Sequence, residues 1–112
     1  MVEVHLVSAL SHGNKGELEA AFGMSIHQVK PGDEAVQKAD YVRQLGAERC
    51  VAVGNGRNDV RMFEVARLSI AVLGGEGTAV QAALAADVVA RSCDDALDLL
   101  LNQRRLLATL RS

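Results

Sequence analysis

The sequence predicts an α/β domain with a mostly parallel sheet and helices on both faces. Three observations carry that prediction. Short apolar segments rich in β-branched residues alternate with segments of helical apolar spacing along the 112 residues, the pattern that parallel strands joined by crossover helices produce. Two polar, glycine-rich segments follow apolar runs, as strand-to-helix loops do at the carboxyl edge of such a sheet. Finally, 49% of the residues are hydrophobic but only one Tyr and two Phe are present, so Val, Leu, Ile and Ala must build the core, which suits thin layers of helix on sheet. The length accommodates one domain and is at the small end for a complete α/β enzyme.

Val2, Val4, Leu6 and Val7 alternate loosely with Glu3 and His5 and run into Ser8, a strand that begins almost at the first residue. Ser11 to Gly16 is loop by composition, and Glu17 to Phe22 is a helix ended by Gly23. Ser25 to Val29 is a second short strand, closed by the Pro31–Gly32 turn. Asp33 is placed as the N-cap of a helix in which Val36, Ala39, Val42 and Leu45 recur every three residues and which Gly46 stops. Lys38 lies in its second turn, where most lysines are solvated.

Cys50 to Val53 is a buried strand, and Val60, Met62, Phe63, Val65 and Ala66 mark the helix after it. Leu68 to Leu73 is an apolar strand that leads through Gly74–Thr78 into an alanine-rich helix containing Ala79, Val80, Ala83 and Leu84. Asp87 to Ala90 is a last strand. Ser92, with Asp95 three residues on, starts a final helix in the manner of a capping box. Ala96, Leu97, Leu100, Leu101, Leu107 and Leu110 predict a broad apolar face on that helix, with Arg104, Arg105 and Arg111 near its carboxyl end, where cations oppose the helix dipole favourably.

The stretch from Cys50 to Asp59 organises the rest. Its apolar start and glycine-broken end put Asp59 in the turn at the carboxyl end of a strand, where ligands bind in open α/β sheets. A carboxylate there, beside Gly54 and Gly56, can hold a hard cation such as Mg²⁺ or orient a water. Equally it can cap the following helix, the commoner use of Asp at that position, and local sequence favours the cap. The glycines of residues 74–77 invite a phosphate-cradle reading, but no Gly-Lys-Ser/Thr ending follows, so a P-loop is excluded. Neither cluster completes Gly-x-Gly-x-x-Gly, since Asp59 stands at the third glycine position.

A net charge of −2 provides no basic field for nucleic acid or an anionic membrane. No apolar run reaches the roughly 18 residues of a membrane span, and Met1 to Leu10 lacks the cationic leader and cleavage site of a signal peptide. A soluble cytoplasmic protein is expected. Cys50 and Cys93 have no metal-ligand spacing and read as buried thiols of a reducing compartment, without a zinc site.

The run Gly54–Asn55–Gly56–Arg57–Asn58–Asp59–Val60–Arg61–Met62, then an apolar strand, a Gly-rich loop and Ala86–Asp87–Val88–Val89, resembles the carboxyl-terminal half of haloacid dehalogenase-like (HAD) hydrolases. It is most similar to their small cap-less, soluble P-type ATPase-like members. In P-type ATPases the corresponding stretch reads Gly-Asp-Gly-x-Asn-Asp, and Ala-Asp-Val/Ile-Val follows at a similar distance. The resemblance covers nearly the whole chain. It implies a HAD-like, Rossmann-like three-layer sandwich and the core of a Mg²⁺-dependent phosphohydrolase acting on a phosphorylated small molecule. Asp59 matches the carboxylate that binds Mg²⁺, and Ser8 the hydroxyl that holds a phosphate oxygen. Lys38 matches the lysine that neutralises the phosphoryl group, with Lys15 or Lys30 as substitutes. Asn55, Gly56 and Asn58 would shape the substrate side of the loop. A cation, a hydroxyl and an ammonium together offset the charge of a phosphoryl transition state.

Two departures follow from the same comparison. The family's nucleophile lies in an Asp-x-Asp-like or Asp-x-Asn-Gly-Thr motif on the first strand, and no such motif occurs in these 112 residues. Without that carboxylate there is no aspartyl-phosphate route. Asn55 stands where many relatives carry an acidic residue, so Asp59 alone should bind Mg²⁺ weakly. Residues 1–112 are thus expected to form a single HAD-like domain, incomplete at its amino-terminal side and amounting to two-thirds to three-quarters of a full one, inactive as an isolated chain. The alternative is a non-catalytic, HAD-derived binding or assembly module. The nucleophile strand of the family lies between the strand ending at Ser8 and the strand ending at Gly54. Its absence leaves those two either to pair directly or to present open edges through which copies of the chain associate.

Overall fold

The computed structural model describes residues 5–8, 26–73 and 77–102. They form β1 (Leu6–Ser8), β2 (Ile26–Gln28), α1 (Glu34–Leu45), β3 (Val51–Gly54), α2 (Val60–Val65), β4 (Leu68–Val72), α3 (Val80–Ala85), β5 (Val88–Ala90) and α4 (Cys93–Leu101). Short 3-10 turns occupy Ala47–Arg49 and Arg57–Asp59. The loop expected at Ser11–Gly16, the helix at Glu17–Phe22, Lys15, and the carboxyl-terminal Arg104, Arg105, Leu107, Leu110 and Arg111 lie outside the described residues.

All strand pairs in the described residues are parallel, in two sheets: β1 with β2, and β3–β4–β5 in that order. The α/β class and parallel sheet expected from the alternation are therefore the observed architecture. The register sorts the side chains of the larger sheet onto two faces. Ala52 sits opposite Ser69, and Val53 opposite Ile70, which in turn pairs with Val88. On one face Ala52 and Ala71 pack with Val42 of α1, Met62 and Phe63 of α2 and Ala82 of α3. On the other, Ile70, Val88 and Ala90 pack with Ala96 of α4, flanked by Val53, Val72, Leu99 and Leu100. Small residues on the first face let three helices approach closely, while the second face is filled by branched side chains from the strands themselves. The result is helix, sheet, helix in three layers.

β1 and β3 do not pair: no ladder joins the two sheets among the described residues. The smaller sheet is instead fastened to α1 through Tyr41. Its ring stacks on His27 at 4.2 Å between centroids, and its hydroxyl lies 2.8 Å from His5 Nδ1.

α1 ends as predicted, with Gly46 at φ 98° and its N–H donating to the Arg43 carbonyl. Its start differs. Asp33 holds the N-cap position at φ 55° without a side-chain capping bond. Neighbouring side chains do the tying instead: Glu34 Oε1 accepts from the Gly32 N–H at 3.0 Å, and the Gln37 amide bridges the main chain of Lys30 and Gly32.

Two further expectations are corrected. Cys50 is half-buried, its Sγ donating to the Gly46 carbonyl at 3.2 Å, but Cys93, at the first turn of α4, is exposed. The apolar face expected of α4 is divided: Ala96, Leu99 and Leu100 pack on the sheet, whereas Leu97 and Leu101 face outward. A nine-residue helix against one sheet has a single buried stripe, and leucines a third of a turn off it remain exposed.

Of the capping box read from Ser92 and Asp95, the N-cap half forms, with Ser92 Oγ accepting from the Asp95 N–H at 3.1 Å, while the Asp95 carboxylate pairs with Arg91. Ser92→Ala leaves that N–H without its partner, and chemical denaturation should register a loss of about 1 kcal/mol. A stability unchanged from wild type would mean that the cap is not formed in solution.

Candidate functional site

Two loops meet at the carboxyl edge of the larger sheet. The chain leaves β3 at Gly54 and turns through Asn55, Gly56 and the 3-10 turn Arg57–Asp59 into α2. The Asn55 carbonyl accepts from the Ala79 N–H at 2.9 Å, and its Nδ2 donates to the Gly77 carbonyl at 3.3 Å. Asn55 is thus the strut between the loops that follow β3 and β4.

Asp59 turns back into its own loop. Its Oδ2 accepts from the N–H groups of Asn55 (3.1 Å) and Gly56 (3.0 Å), and makes no capping bond to the helix that follows. Consecutive main-chain N–H groups converging on one oxygen form the kind of concavity that binds anions, and here the occupant is the chain's own carboxylate. The other oxygen, Oδ1, takes a 2.8 Å bond from the Nζ of Lys38, which also donates to Asn58 Oδ1 at 3.0 Å. Both charges are buried, with side-chain exposures of 10% for Lys38 and 8% for Asp59.

Lys38 is therefore not the solvated lysine that helix position alone suggests. It lies on the same side of α1 as Ala39 and Val42, and α1 packs against α2 and the turn that carries Asp59. An ammonium at that depth is stable only with acceptors, and Asp59 and Asn58 supply two for its three N–H groups. The contact explains Gly54 as well. A Cβ built on Gly54 would overlap the Asp59 carboxylate, so the glycine is required by close approach.

Of the other residues singled out in the sequence, Gly56 contributes its N–H to Asp59, and Asn58 orients Lys38. Lys30 is exposed, its main chain bracketed by Gln37, and takes no part in the pair. Ser8 ends β1 opposite Gln28, but its side chain lies outside the described residues. Asp87, part of the Ala86–Asp87–Val88–Val89 run, is remote in role. Its Oδ2 accepts from the N–H (3.0 Å) and Oγ (3.3 Å) of Ser69, clasping the start of β5 to that of β4 at the amino edge of the sheet. No periodicity or spacing signals that clasp, since Ser69 falls inside one apolar run and Asp87 at the start of another.

A metal does not fit these residues as they stand. Oδ2 is saturated by two amides, Oδ1 already bonds a cation, and no group of three or more His, Cys, Asp or Glu able to hold a metal exists among the described residues. Mg²⁺ would have to displace Lys38 from a single carboxylate, although it is normally bound through one or two carboxylates plus substrate phosphate.

Comparison with known proteins bears on the same segment. Residues 33–97, which include Lys38, the Gly54–Asp59 loop and Asp87, match the family model of haloacid dehalogenase-like hydrolases. The chain belongs to that family. It is also 39% identical over 92 residues to the uncharacterized protein MJ0073 of Methanocaldococcus jannaschii, covering 79% of this chain and 99% of that protein. No solved structure matches the chain significantly. No helix among the described residues is long and apolar enough to cross a membrane.

The HAD loop here is closed on itself by a buried pair, and two substitutions test that. Gly54→Ala forces the Asp59 carboxylate off its two amides and should cost about 1–3 kcal/mol in chemical denaturation. Asp59→Ala strands the Lys38 charge and should cost about 3–5 kcal/mol. Wild-type stability in both variants would mean that the carboxylate does not occupy the loop.

Proposed function

We propose that this chain is a phosphohydrolase-type HAD core without its aspartyl nucleophile, and that it does not turn over phosphate esters by itself. The observation that carries the reading is the Lys38–Asp59–Asn58 constellation, an ammonium and a carboxylate paired at the carboxyl edge of the sheet, with no metal-holding group of three or more His, Cys, Asp or Glu among the described residues. Transfer to an enzyme carboxylate requires a free one within reach of phosphorus, and Asp59, held on both oxygens, is not free. In a completed site Lys38 would neutralise phosphoryl charge through its remaining N–H, and Asn58 would keep it aimed. Ser8 would supply a hydroxyl, the Gly56 turn would border the substrate, a phosphorylated small molecule, and Asp59 would hold Lys38 in place beside it.

A second reading, a non-catalytic binding or assembly module derived from the same fold, is favoured by a different observation. MJ0073 is matched over 99% of its own length, which supports treating this set of elements as a unit in its own right. Under either reading the isolated chain has no phosphatase activity.

The purified chain is to be assayed on an aryl phosphate with and without Mg²⁺, beside Asp59→Asn, which keeps the size of the side chain. The expected result is no turnover above buffer for either protein. Mg²⁺-dependent turnover that Asp59→Asn abolishes would overturn the proposal, since another carboxylate would then be acting as nucleophile.

A further inference from the structure

The helical face opposite α4 carries a groove of about 480 Å³ between α1 and α2, bordered by α3. Its floor is apolar, with Val36 and Ala39 from α1 and Val60 and Val65 from α2. Its rim is basic. Arg43, Arg57 and Arg61 line it, against Glu64 as the one acidic lining residue. Arg43 is engaged by Asp40 at 2.7 Å, but Arg57 and Arg61, one turn apart, have no ion-pair partner among the described residues. A groove of this kind suits an amphipathic helix with acidic and apolar residues on one face.

The chain itself displays such a helix. On α4, Asp94, Leu97, Asp98 and Leu101 fall at i, i+3, i+4 and i+7, a single outward stripe. Leu97 is 43% exposed and Leu101 84% exposed. Asp95 is taken by Arg91, whereas Asp94 and Asp98 have no ion-pair partner among the described residues. Two unpaired carboxylates one helical turn apart thus match two unpaired guanidiniums one turn apart, and two bare leucines match an apolar floor.

The match cannot be made within one molecule. α4 packs on the sheet face formed by Val53, Ile70 and Val72, and the groove belongs to the helices on the opposite face. We infer that this chain associates head to tail with a second copy, the outward stripe of α4 in one molecule docking in the α1–α2 groove of the next. Asp94 and Asp98 pair with Arg57 and Arg61, while Leu97 and Leu101 cover Val36, Ala39, Val60 and Val65. The contact is heterologous, so each molecule keeps one groove and one helix available and assembly proceeds past the dimer. It involves neither sheet edge and does not rest on the chemistry of the Lys38–Asp59 site.

Sedimentation velocity on the full chain from about 1 µM to about 1 mM covers the affinities open to a small interface. Two variants isolate the halves of the contact, R57E/R61E for the groove and L97S/L101S for the helix. All four positions are exposed, and circular dichroism checks that both variants fold. The wild-type mass is expected to rise with concentration beyond that of a dimer and to fall with added salt, and each variant alone should remain monomeric. Mixed, the variants should form a dimer that grows no further, because one supplies an intact α4 and the other an intact groove. A wild-type chain that stays monomeric throughout would overturn the inference. So would association that survives both variants, which would place the contact elsewhere, or a mixture that yields no dimer.

Discussion

The buried pair of Lys38 and Asp59 is the interaction on which the rest of this structure depends. It joins α1 to the loop after β3 across 21 residues of sequence, and it fixes how the layer of α1 and α2 sits over the carboxyl edge of the sheet. Two charges taken out of water are tolerable only if their hydrogen-bonding capacity is met, and the surrounding residues meet it. Asn55 and Gly56 present main-chain N–H groups, Asn58 presents its amide oxygen, and Gly54 leaves the space a side chain would fill. The composition of the Gly54–Asp59 loop is therefore a consequence of one carboxylate and one ammonium meeting below the surface.

The same geometry changes the meaning of the loop's glycines. Main-chain N–H groups at the end of a strand are commonly offered to phosphate, but here the Asp59 carboxylate already occupies them. A phosphoryl group would need donors elsewhere, and Lys38 has one N–H left to give. The loop is thus held in a self-neutralised state, its carboxylate bonded by two amides and one ammonium.

Most of the fold was legible because it rests on local rules. Gly46 stops α1, Ser92 caps α4, and the apolar runs at Leu68–Val72 and Val88–Ala90 are strands. What was not legible required knowing what lies across space. Asp33 looks like a cap, yet its left-handed backbone takes its side chain out of the capping geometry, and Glu34 and Gln37 hold the turn instead. Lys38 on a helix reads as solvent-facing until α2 and its turn cover it, and only the family resemblance singled it out. Leu97 and Leu101 count as core in a list of apolar residues, but α4 packs on the sheet through Ala96, Leu99 and Leu100 and leaves those two outward. Cys93 is exposed as well, at the first turn of α4.

Amide NMR of Asn55 and Gly56 during a Mg²⁺ titration shows whether the Asp59 carboxylate is satisfied from within the chain. Those two N–H groups donate to Asp59 Oδ2, so a metal that captured the carboxylate would alter both. At millimolar Mg²⁺ neither amide is expected to show a saturable shift, and Lys38 remains paired. Saturable shifts confined to Asn55, Gly56 and their neighbours would contradict it, because Asp59 would then be a metal ligand that the loop and Lys38 hold only loosely.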